Sequence, residues 1–349
     1  MNFKISSLRI CFCLLLILSF LYLCFQFKSV TINGGNVEEY TLRTNLTKWI
    51  NMSSLELIYN SNICLYKKPK IIILITSHVQ NIEARKTIRQ SYPKDLLHKY
   101  NTQIIFLLAV IRNTFDELTF KTQREVQQHG DIIQGNFIEA YRNLTYKHLM
   151  GYKWTIDSCP TVEYIIKMDD DIVVNYYKLF SIIEMYKSRF ELMGYVFKNM
   201  KPIRDESNKW YVPLTEYKNS VYPEFLSGWI YIATFKTLQS LMKQSNLTPY
   251  FWIDDVFITG ILREKARINV TDIKEYFRYD PKNIECCILN KYSCDFLAAP
   301  NGKDFSLNLK FNNHLWECRY KKKCKLESNT KTSCLWSSNS FAMKKYLLL

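Results

Sequence analysis

Short apolar runs alternate with longer amphipathic stretches between residues 70 and 168, and this alternation restricts the possible folds most. Runs rich in β-branched residues, each with the length of a buried strand, occupy residues 70–76, 103–111, 131–133 and 162–168. Stretches with helical periodicity occupy residues 83–91, 115–128 and 141–155. Buried strands separated by helices form βαβ units whose sheet is covered on both faces. The pattern predicts an α/β domain with a mostly parallel, doubly wound sheet that binds ligands beyond the carboxyl ends of its strands.

The composition excludes several function classes. Hydrophobic residues make up 48% of the 349 residues and charged residues 23%, which is typical of a globular protein with a sizeable core. Only 9 residues are glycine and no G-x-G occurs, so a Rossmann dinucleotide site is excluded. The nearest match to a phosphate-binding loop, from Gly130 to Gly135, continues with Asn136 where a lysine is required. A net charge of +15 is a weak signal by itself, and we predict no nucleic-acid partner.

A charge-free apolar run from Ile10 to Phe27 predicts one membrane helix. At 1.5 Å per residue it spans roughly 27 Å, enough for a thin bilayer. A cleavable signal peptide is the alternative, but the run is longer than a usual h-region and no A-x-A-like cleavage site follows it. Basic residues precede the run, so we expect residues 1–9 to be a cytosolic tail, residues 10–27 a transmembrane signal anchor and the remainder lumenal.

The rest of the chain is predicted to divide into a stem at 28–68, a catalytic domain at 69–300 and a basic, cysteine-containing extension at 301–349. Eight of the 11 cysteines would lie in the oxidising lumen, an even number that suits disulfides, although their connectivity cannot be derived from spacing. Candidate N-glycosylation sites are Asn45, Asn51, Asn143, Asn246 and Asn269.

Three consecutive carboxylates, Asp169, Asp170 and Asp171, follow the strand at 162–168 and precede the apolar residues 172–174. Carboxylates between two apolar runs are costly unless a cation compensates their charge. A hard divalent ion held by one or two carboxylates and by substrate phosphates would do so. An exposed turn is the alternative interpretation of the same three residues.

The carboxylates belong to a set of blocks that together resemble the β-1,3-galactosyltransferase family, glycosyltransferase family 31. In family order, the blocks are RKTIRQSY at 85–92, DIIQGNFIEAYRNLTYK at 131–147, Trp154 with Cys159, KMDDDIVVN at 167–175, YPEFLSG at 222–228 and IDDVFITG at 253–260. The resemblance covers about residues 69 to 300. Each block alone is weak, whereas six in order behind a membrane anchor are a specific signal.

The resemblance implies a GT-A fold and the inverting transfer of a hexose from a UDP-sugar to a glycan acceptor, with Mn²⁺ as cofactor. Carried over by position, Asp171 is the main metal ligand, Asp169 lies on the metal or ribose side, and Asp255 is the catalytic base. Gly228 would let the backbone approach the donor sugar. The remaining residues expected to bind the nucleotide sugar are Arg85, Arg89, Lys147 and Asp170. The two arginines have an alternative role, since they are equally suited to cap a helix or form salt bridges.

The sequence departs from the family pattern at a few positions. Glu139 stands where an aspartate is usual, and Trp229 follows Gly228 where a small residue is common. A histidine that the family places near residue 300 as a further metal ligand is missing, with Pro300 and Asn301 there instead. We considered His314 as its substitute, although a lone histidine is more often structural.

The sequence therefore predicts a Golgi membrane protein of type II topology that transfers a hexose, with UDP-galactose as the expected donor. A β-1,3-N-acetylglucosaminyltransferase and an inactive lumenal glycan-binding relative are the alternatives. A metal-dependent phosphodiesterase is disfavoured, because two-metal hydrolases recruit more carboxylates or histidines than cluster here. The acceptor and the oligomeric state cannot be derived from the sequence.

Overall fold

The structure is a computed structural model that describes residue 52, residues 55–111, 117–187 and 189–325, and residue 334. The predicted cytosolic tail, the predicted anchor at 10–27, and Asn45 and Asn51 lie outside the described residues. Among the described residues, no helix has the length and apolar character needed to cross a bilayer.

In the described part of the chain, ten strands form two sheets. The main sheet contains β1 (Leu57–Tyr59), β2 (Ile71–Thr76), β3 (Thr102–Val110), β4 (Ile132–Ile138), β5 (Tyr164–Asp169), β7 (Leu192–Phe197), β8 (Phe225–Thr234) and β9 (Val270–Asp272). Its strand order is β1-β4-β3-β2-β5-β8-β7-β9. The remaining strands, β6 (Ile172–Val174) and β10 (Ala298–Pro300), pair with each other in a separate antiparallel ribbon.

Helices connect the strands. The α-helices are α1 (Ile63–Lys67), α2 (Ile82–Ser91), α3 (Lys94–Lys99), α4 (Glu117–His129), α5 (Leu144–Ser158), α6 (Tyr176–Tyr186), α7 (Phe235–Ser245), α8 (Lys282–Asn290) and α9 (Ser306–Lys321). Two 3₁₀ turns cover Tyr141–Asn143 and Lys274–Tyr276, and a π-helical segment, Val256–Leu262, continues into the helical turn Arg263–Lys265.

The predicted parallel sheet is confirmed for its first half. Strands β4, β3, β2 and β5 run parallel, as the alternation of apolar runs and helices requires. Beyond β5 the sheet is mixed, because β8 is antiparallel to both β5 and β7. No helix lies between β7 and β8; the long connection 198–224 joins them instead, and this allows the antiparallel pairing.

The close approach of α5 to the sheet depends on a helical glycine. A Cβ atom on Gly151 would lie 2.6 Å from Leu107 Cδ1 and 3.1 Å from Leu74 Cδ1. Both leucines are fully buried, in β3 and β2 respectively. Any larger residue at 151 would therefore push α5 away from the strands whose carboxyl ends carry the candidate site.

Two of the predicted domain boundaries need correction. Strand β1 pairs with β4, and Cys64 is bonded to Cys159, so the segment from Leu57 onward belongs to the folded domain and not to a stem that ends at 68. At the other end, α9 packs against α2 and β6, so the domain continues past residue 300. Its core-facing residues include Leu307 and Phe311.

All eight of the cysteines expected in the lumen form disulfides. The pairs are Cys64–Cys159, Cys286–Cys334, Cys287–Cys294 and Cys318–Cys324. The first pair closes a separation of 95 residues and joins α1 to the end of α5. Three of the four pairs lie in the C-terminal part, where they hold α8, α9 and the following residues together.

The sheet order brings the sequence motifs to one edge. Thr76, at the end of β2, is paired with Asp169, at the end of β5, so the loop after β2 and the acidic triplet are neighbours. Since β8 runs antiparallel to β5, with Ile230 opposite Met168, the first residues of β8 reach the same edge. Gly228 therefore lies beside the acidic triplet.

Candidate active site

Lys167 lies at the centre of the site and links the two acidic clusters. Its Nζ donates hydrogen bonds to Asp169 Oδ1 and to the Gly228 carbonyl, each at 2.8 Å. The same atom lies 3.9 Å from Asp255 Oδ1 and 4.0 Å from Asp254 Oδ2. Burial disfavours the charged amine, but the three carboxylates outweigh burial and raise the pKa of Lys167. Lys167 is therefore a buried permanent cation.

Lys167 is a site residue that the sequence motifs do not single out. A lysine within an otherwise apolar strand is the signal that could have identified it. Lysine is almost never fully buried unless it is paired, so a lysine in a buried strand indicates a paired cation. The strand pattern predicted its burial, whereas its partners from β8 and from the segment before the π-helix are distant in sequence.

The three aspartates of the triplet have different surroundings. Asp170 points inward, and its Oδ2 accepts hydrogen bonds from Ser77 Oγ at 2.7 Å and Asn81 Nδ2 at 3.0 Å. Asp171 is exposed to solvent. Burial raises the pKa of Asp169 to about 7, with Asp171 adding to the rise and Lys167 opposing it. Asp170 thus fastens the loop after β2, whereas Asp169 and Asp171 remain available to a ligand.

The oxygen donors of Asp169 and Asp171 fit a hard divalent cation. Carboxylate oxygens are the ligands that Mn²⁺ and Mg²⁺ prefer, and one or two carboxylates suffice when substrate phosphates complete the coordination. Burial and the charge of Asp171 raise the pKa of Asp169, and a cation bound between the two carboxylates would favour their ionised forms.

The position of the missing histidine lies next to the triplet. Asn301 is 2% exposed, and its backbone N–H donates to the Asp171 carbonyl at 2.9 Å. Its Oδ1 accepts from the Lys303 N–H at 2.8 Å, and its Nδ2 has no hydrogen-bond partner among the described residues. His314 bonds the Tyr292 carbonyl through Nε2 at 2.8 Å, and the same nitrogen lies 3.4 Å from Cys318 Sγ. The interpretation of His314 as a replacement metal ligand stays a prediction.

Asp255 is positioned by Gly228 as a candidate base. The Gly228 N–H donates to Asp255 Oδ2 at 2.9 Å, while Oδ1 is buried and has no hydrogen-bond partner among the described residues. Burial and the charge of Asp254 raise the pKa of Asp255 well above the usual range, with Lys167 opposing them. Asp255 precedes the π-helical segment, but its side chain makes no capping hydrogen bond to it.

Asp254 has the opposite electrostatic character. Its Oδ2 lies 3.0 Å from Nδ1 of the fully buried His148, whose Nε2 contacts the Tyr231 hydroxyl. Burial opposes ionisation of Asp254, but the His148 hydrogen bond and the charge of Lys167 outweigh burial and lower the Asp254 pKa. Two neighbouring carboxylates with opposite pKa shifts are typical of acid–base sites. Of the two carboxylates, Asp255 is therefore the one that favours the protonated form and Asp254 the one that favours the ionised form.

The two arginines predicted to hold the nucleotide are engaged elsewhere. Arg85 is fully buried, and its five N–H groups bond Glu125, Ser77 Oγ and the carbonyls of His78 and Val79. Arg89 is 9% exposed and pairs with Asp131 and Glu125 at 2.7 Å. The alternative of salt bridges is the observed one for both arginines, and a role in holding the nucleotide stays a prediction.

Lys147 also faces the protein interior. Its side chain is 2% exposed, and its Nζ donates to the Ser77 carbonyl at 2.8 Å and to Glu139 Oε1 at 2.5 Å. Glu139, at a position where the family usually has aspartate, supplies the carboxylate of this ion pair. Arg85 and Lys147 thus hold the loop that begins at Ser77, and through the backbone of that loop they would act on a bound nucleotide.

The described sequons differ in their surroundings. Asn143 is 4% exposed, and its Nδ2 donates to the Ile138 carbonyl at 2.9 Å, so the folded domain has no room for a glycan at this asparagine. The prediction of a glycan on Asn143 is thereby corrected. Asn246 and Asn269 are exposed, although Asn269 Nδ2 bonds Glu191 Oε2 at 3.0 Å.

Comparisons with known proteins agree with these observations. The profile of the family described as Galactosyltransferase matches residues 83–274, which include both acidic clusters. Mouse β-1,3-galactosyltransferase 1 is 34% identical over 243 residues, covering 68% of this chain and 73% of the relative. Human β-1,3-galactosyltransferase 5 is 28% identical over 246 residues, covering 69% and 79%.

Among solved structures, a glycosyltransferase involved in the glycosylation of the major capsid of PBCV-1 is 12% identical, with a TM-score of 0.36. The match covers 71% of this chain and 99% of that one. A score of this size supports no statement about function.

Proposed function

The chain belongs to the galactosyltransferase family, and on this premise we propose that it is an inverting β-1,3-galactosyltransferase that moves galactose from UDP-galactose to a glycan acceptor. The relatives that it matches are named β-1,3-galactosyltransferases, and it covers about three quarters of their length. Retention of both acidic clusters in one site argues against an inactive glycan-binding relative.

The observation that carries the proposal is the free oxygen of Asp255. Gly228 holds one carboxylate oxygen, while the other is buried, has no hydrogen-bond partner among the described residues and belongs to a carboxyl with a raised pKa. A carboxylate within hydrogen-bond reach of an acceptor hydroxyl can take its proton as the new bond forms. The acceptor oxygen then bonds to the anomeric carbon, the bond from that carbon to UDP breaks, and the proton stays on Asp255.

The other acidic cluster serves the leaving group. Asp169 and Asp171 would hold Mn²⁺, which neutralises the charge of a diphosphate when it is bound. Asp170 and Asn81 fix the loop at the end of β2, beside these ligands. Lys167 lies between the two clusters and sets their spacing, since it bonds both Asp169 and the carbonyl of the glycine that seats Asp255.

We also propose that the enzyme is a type II protein of the Golgi membrane. The support is the apolar run 10–27 at the sequence level, together with four disulfides that suit an oxidising lumen. N-glycans in that compartment would be expected at the exposed Asn246 and Asn269, and at Asn45 and Asn51 in the membrane-proximal region.

The direct test is a transfer assay on the full chain in detergent with Mn²⁺, a panel of glycan acceptors, and UDP-galactose, UDP-N-acetylglucosamine or UDP-N-acetylgalactosamine as donor. We expect a β-1,3-galactosyl product, and we expect EDTA to abolish its formation. The Asp255→Asn variant is the matched control for contaminating activity. A different sugar in the product would change the donor assignment, and no product from any donor would contradict the proposal.

A further inference from the structure

Three aromatic side chains from distant parts of the chain meet beside the second acidic cluster. The ring of Tyr141 lies edge-on to Trp210, with 5.0 Å between centroids, and 6.0 Å from the ring of Trp252. The Trp210 and Trp252 rings are nearly parallel, 18° apart in plane, at 6.3 Å. We refer to Tyr141, Trp210 and Trp252 as the aromatic platform.

The platform is held rigidly from below. Trp252 Nε1 donates to Glu216 Oε2 at 3.0 Å, and Glu216 Oε1 accepts from Arg142 Nη1 at the same distance. The Arg142 guanidinium covers the Trp252 ring at 4.5 Å, a cation–π contact. Thr145 Oγ1 bonds the Trp252 carbonyl at 3.1 Å and so fastens the start of α5 to the same segment. The rings are therefore fixed before any ligand arrives.

The platform lies on the side of the candidate base. Trp252 precedes Asp254 by two residues, and α5, which begins next to Tyr141, carries the His148 that bonds Asp254. Burial raises the pKa of Tyr141, and so do the charges of Asp254 and Asp255 and, to a smaller extent, those of Asp169 and Asp171, so its ring lies within electrostatic reach of both clusters.

Two of the three rings remain accessible. Tyr141 is 42% exposed and Trp210 is half-buried, whereas Trp252 is 3% exposed and supports them from behind. A pyranose ring has one face made of C–H groups and a rim of hydroxyls. Burying the C–H face on an aromatic ring removes apolar surface from water, while the hydroxyls stay free for directed hydrogen bonds.

We infer that the aromatic platform is the acceptor subsite, where the C–H face of the acceptor pyranose stacks on Trp210 and Tyr141 and one of its hydroxyls points to Asp255. This inference rests on the proposed function and names the surface that would select the acceptor. The donor diphosphate would be held by Asp169 and Asp171 at the end of β5, whereas the Trp252 of the platform comes two residues before the cluster of Asp254 and Asp255.

The test compares Trp210→Ala with wild type in full-chain transfer assays that use methyl β-glycosides of galactose and N-acetylglucosamine and the methyl α-glycoside of N-acetylgalactosamine. These probes carry no aromatic aglycone that would stack by itself. We expect the acceptor KM to rise about tenfold or more. The donor KM and the acceptor-independent hydrolysis of UDP-galactose should stay within about twofold, because the donor does not touch the platform. Trp210→Phe keeps an aromatic face and should recover most of the loss.

The matched control is Phe120→Ala, since Phe120 is an aromatic residue 70% exposed on α4 and is not part of the platform. Unchanged acceptor KM in Trp210→Ala would overturn the inference, and so would equal increases of donor and acceptor KM. If wild type transfers no sugar, the proposed function fails separately. Saturation-transfer NMR with the same glycosides then tests the platform, and binding that is absent in wild type or unchanged in folded Trp210→Ala would overturn it.

Discussion

The backbone of Gly228 is packed directly against the carboxylate of Asp255. The Gly228 N–H donates to Asp255 Oδ2 at 2.9 Å, and a Cβ atom on residue 228 would lie 2.4 Å from each carboxylate oxygen. The resemblance to the family suggested that this glycine admits the donor sugar. The contact indicates a second role for this glycine, because only a residue without a side chain leaves room for the Asp255 carboxylate.

Gly228→Ala should therefore slow sugar transfer by disturbing the position of Asp255. The added methyl group must displace the carboxylate, and a shift of about 1 Å in a reacting group costs roughly 100-fold in rate. UDP and Mn²⁺ should bind with near-normal affinity in calorimetric titrations, since Asp169 and Asp171 do not touch the methyl group. Gly260→Ala is the control for packing strain away from the carboxylate, because its Cβ would lie 3.1 Å from Phe225 Cβ and 3.2 Å from Pro223 Cγ. Normal transfer by folded Gly228→Ala would show that the seating of Asp255 is unimportant.

The two acidic clusters should be separable by mutation. Asp171→Asn should weaken the binding of Mn²⁺ and UDP together, because it removes an anionic ligand. Asp255→Asn should retain both affinities and lose roughly 100-fold or more in transfer, the usual scale for a positioned general base. Titration calorimetry and transfer assays on both folded variants measure the difference. Loss of UDP binding in Asp255→Asn, or near-normal turnover, would contradict the assignment of the base.

The acidic limb of the pH–rate profile should depend on Asp254. Asp255 acts in its ionised form, and its pKa is raised, so turnover should fall at a pH well above the usual range of an aspartate as the solution is acidified. Asp254→Asn removes a neighbouring negative charge, which lowers the Asp255 pKa and should move the limb to lower pH. Asp157→Asn, at an exposed i,i+4 pair with Lys153, should leave the profile unchanged. If the acidic limb of Asp254→Asn stays at the same pH or moves to higher pH, the coupling between Asp254 and Asp255 is excluded.

The sequence predicted β2, β3 and β5 well because each is an apolar run whose burial follows from hydrophobicity alone, whereas β1 lay in the predicted stem and β4 extends beyond the predicted residues 131–133. The strands β7, β8 and β9 gave no comparable alternation, since their antiparallel pairing depends on the long connection 198–224 and on a shift in register between Gly194 and Val196. Such long-range pairing leaves no local period in the sequence.

The aspartates of the candidate site could be found from their types and spacing, whereas the cations could not be assigned correctly. Arg85 and Arg89 are residues that often bind phosphate, yet Glu125 and Asp131, which occupy them, lie about 40 residues further along the chain. The partners of Lys167 are also distant in sequence. Whether a buried cation faces a ligand or a carboxylate is decided by tertiary packing, which motif spacing does not contain.

The position of Arg85 leads to a prediction about stability rather than affinity. Removing one partner of a buried ion pair leaves an uncompensated charge and costs about 3–5 kcal/mol. Glu125→Gln, which cannot touch a nucleotide, should therefore lower the free energy of unfolding by about this amount, measured by urea denaturation. Arg85→Lys should also destabilise the fold, because an ammonium group cannot replace the five donors of the guanidinium.

The control is Lys86→Gln at the adjacent position. Lys86 forms an exposed pair with Glu83, with 58% of its side chain accessible, so its loss should change the unfolding free energy by at most about 0.5 kcal/mol. UDP affinity is measured under conditions in which all variants are folded. It distinguishes an Arg85 that only supports the loop from an Arg85 that contacts the nucleotide directly. If Arg85 only holds the loop from Ser77 to Val79, Glu125→Gln and Arg85→Lys should weaken UDP binding together. A large loss of UDP affinity in Arg85→Lys, with no destabilisation and with normal binding by Glu125→Gln, would instead mean that the guanidinium reaches the nucleotide.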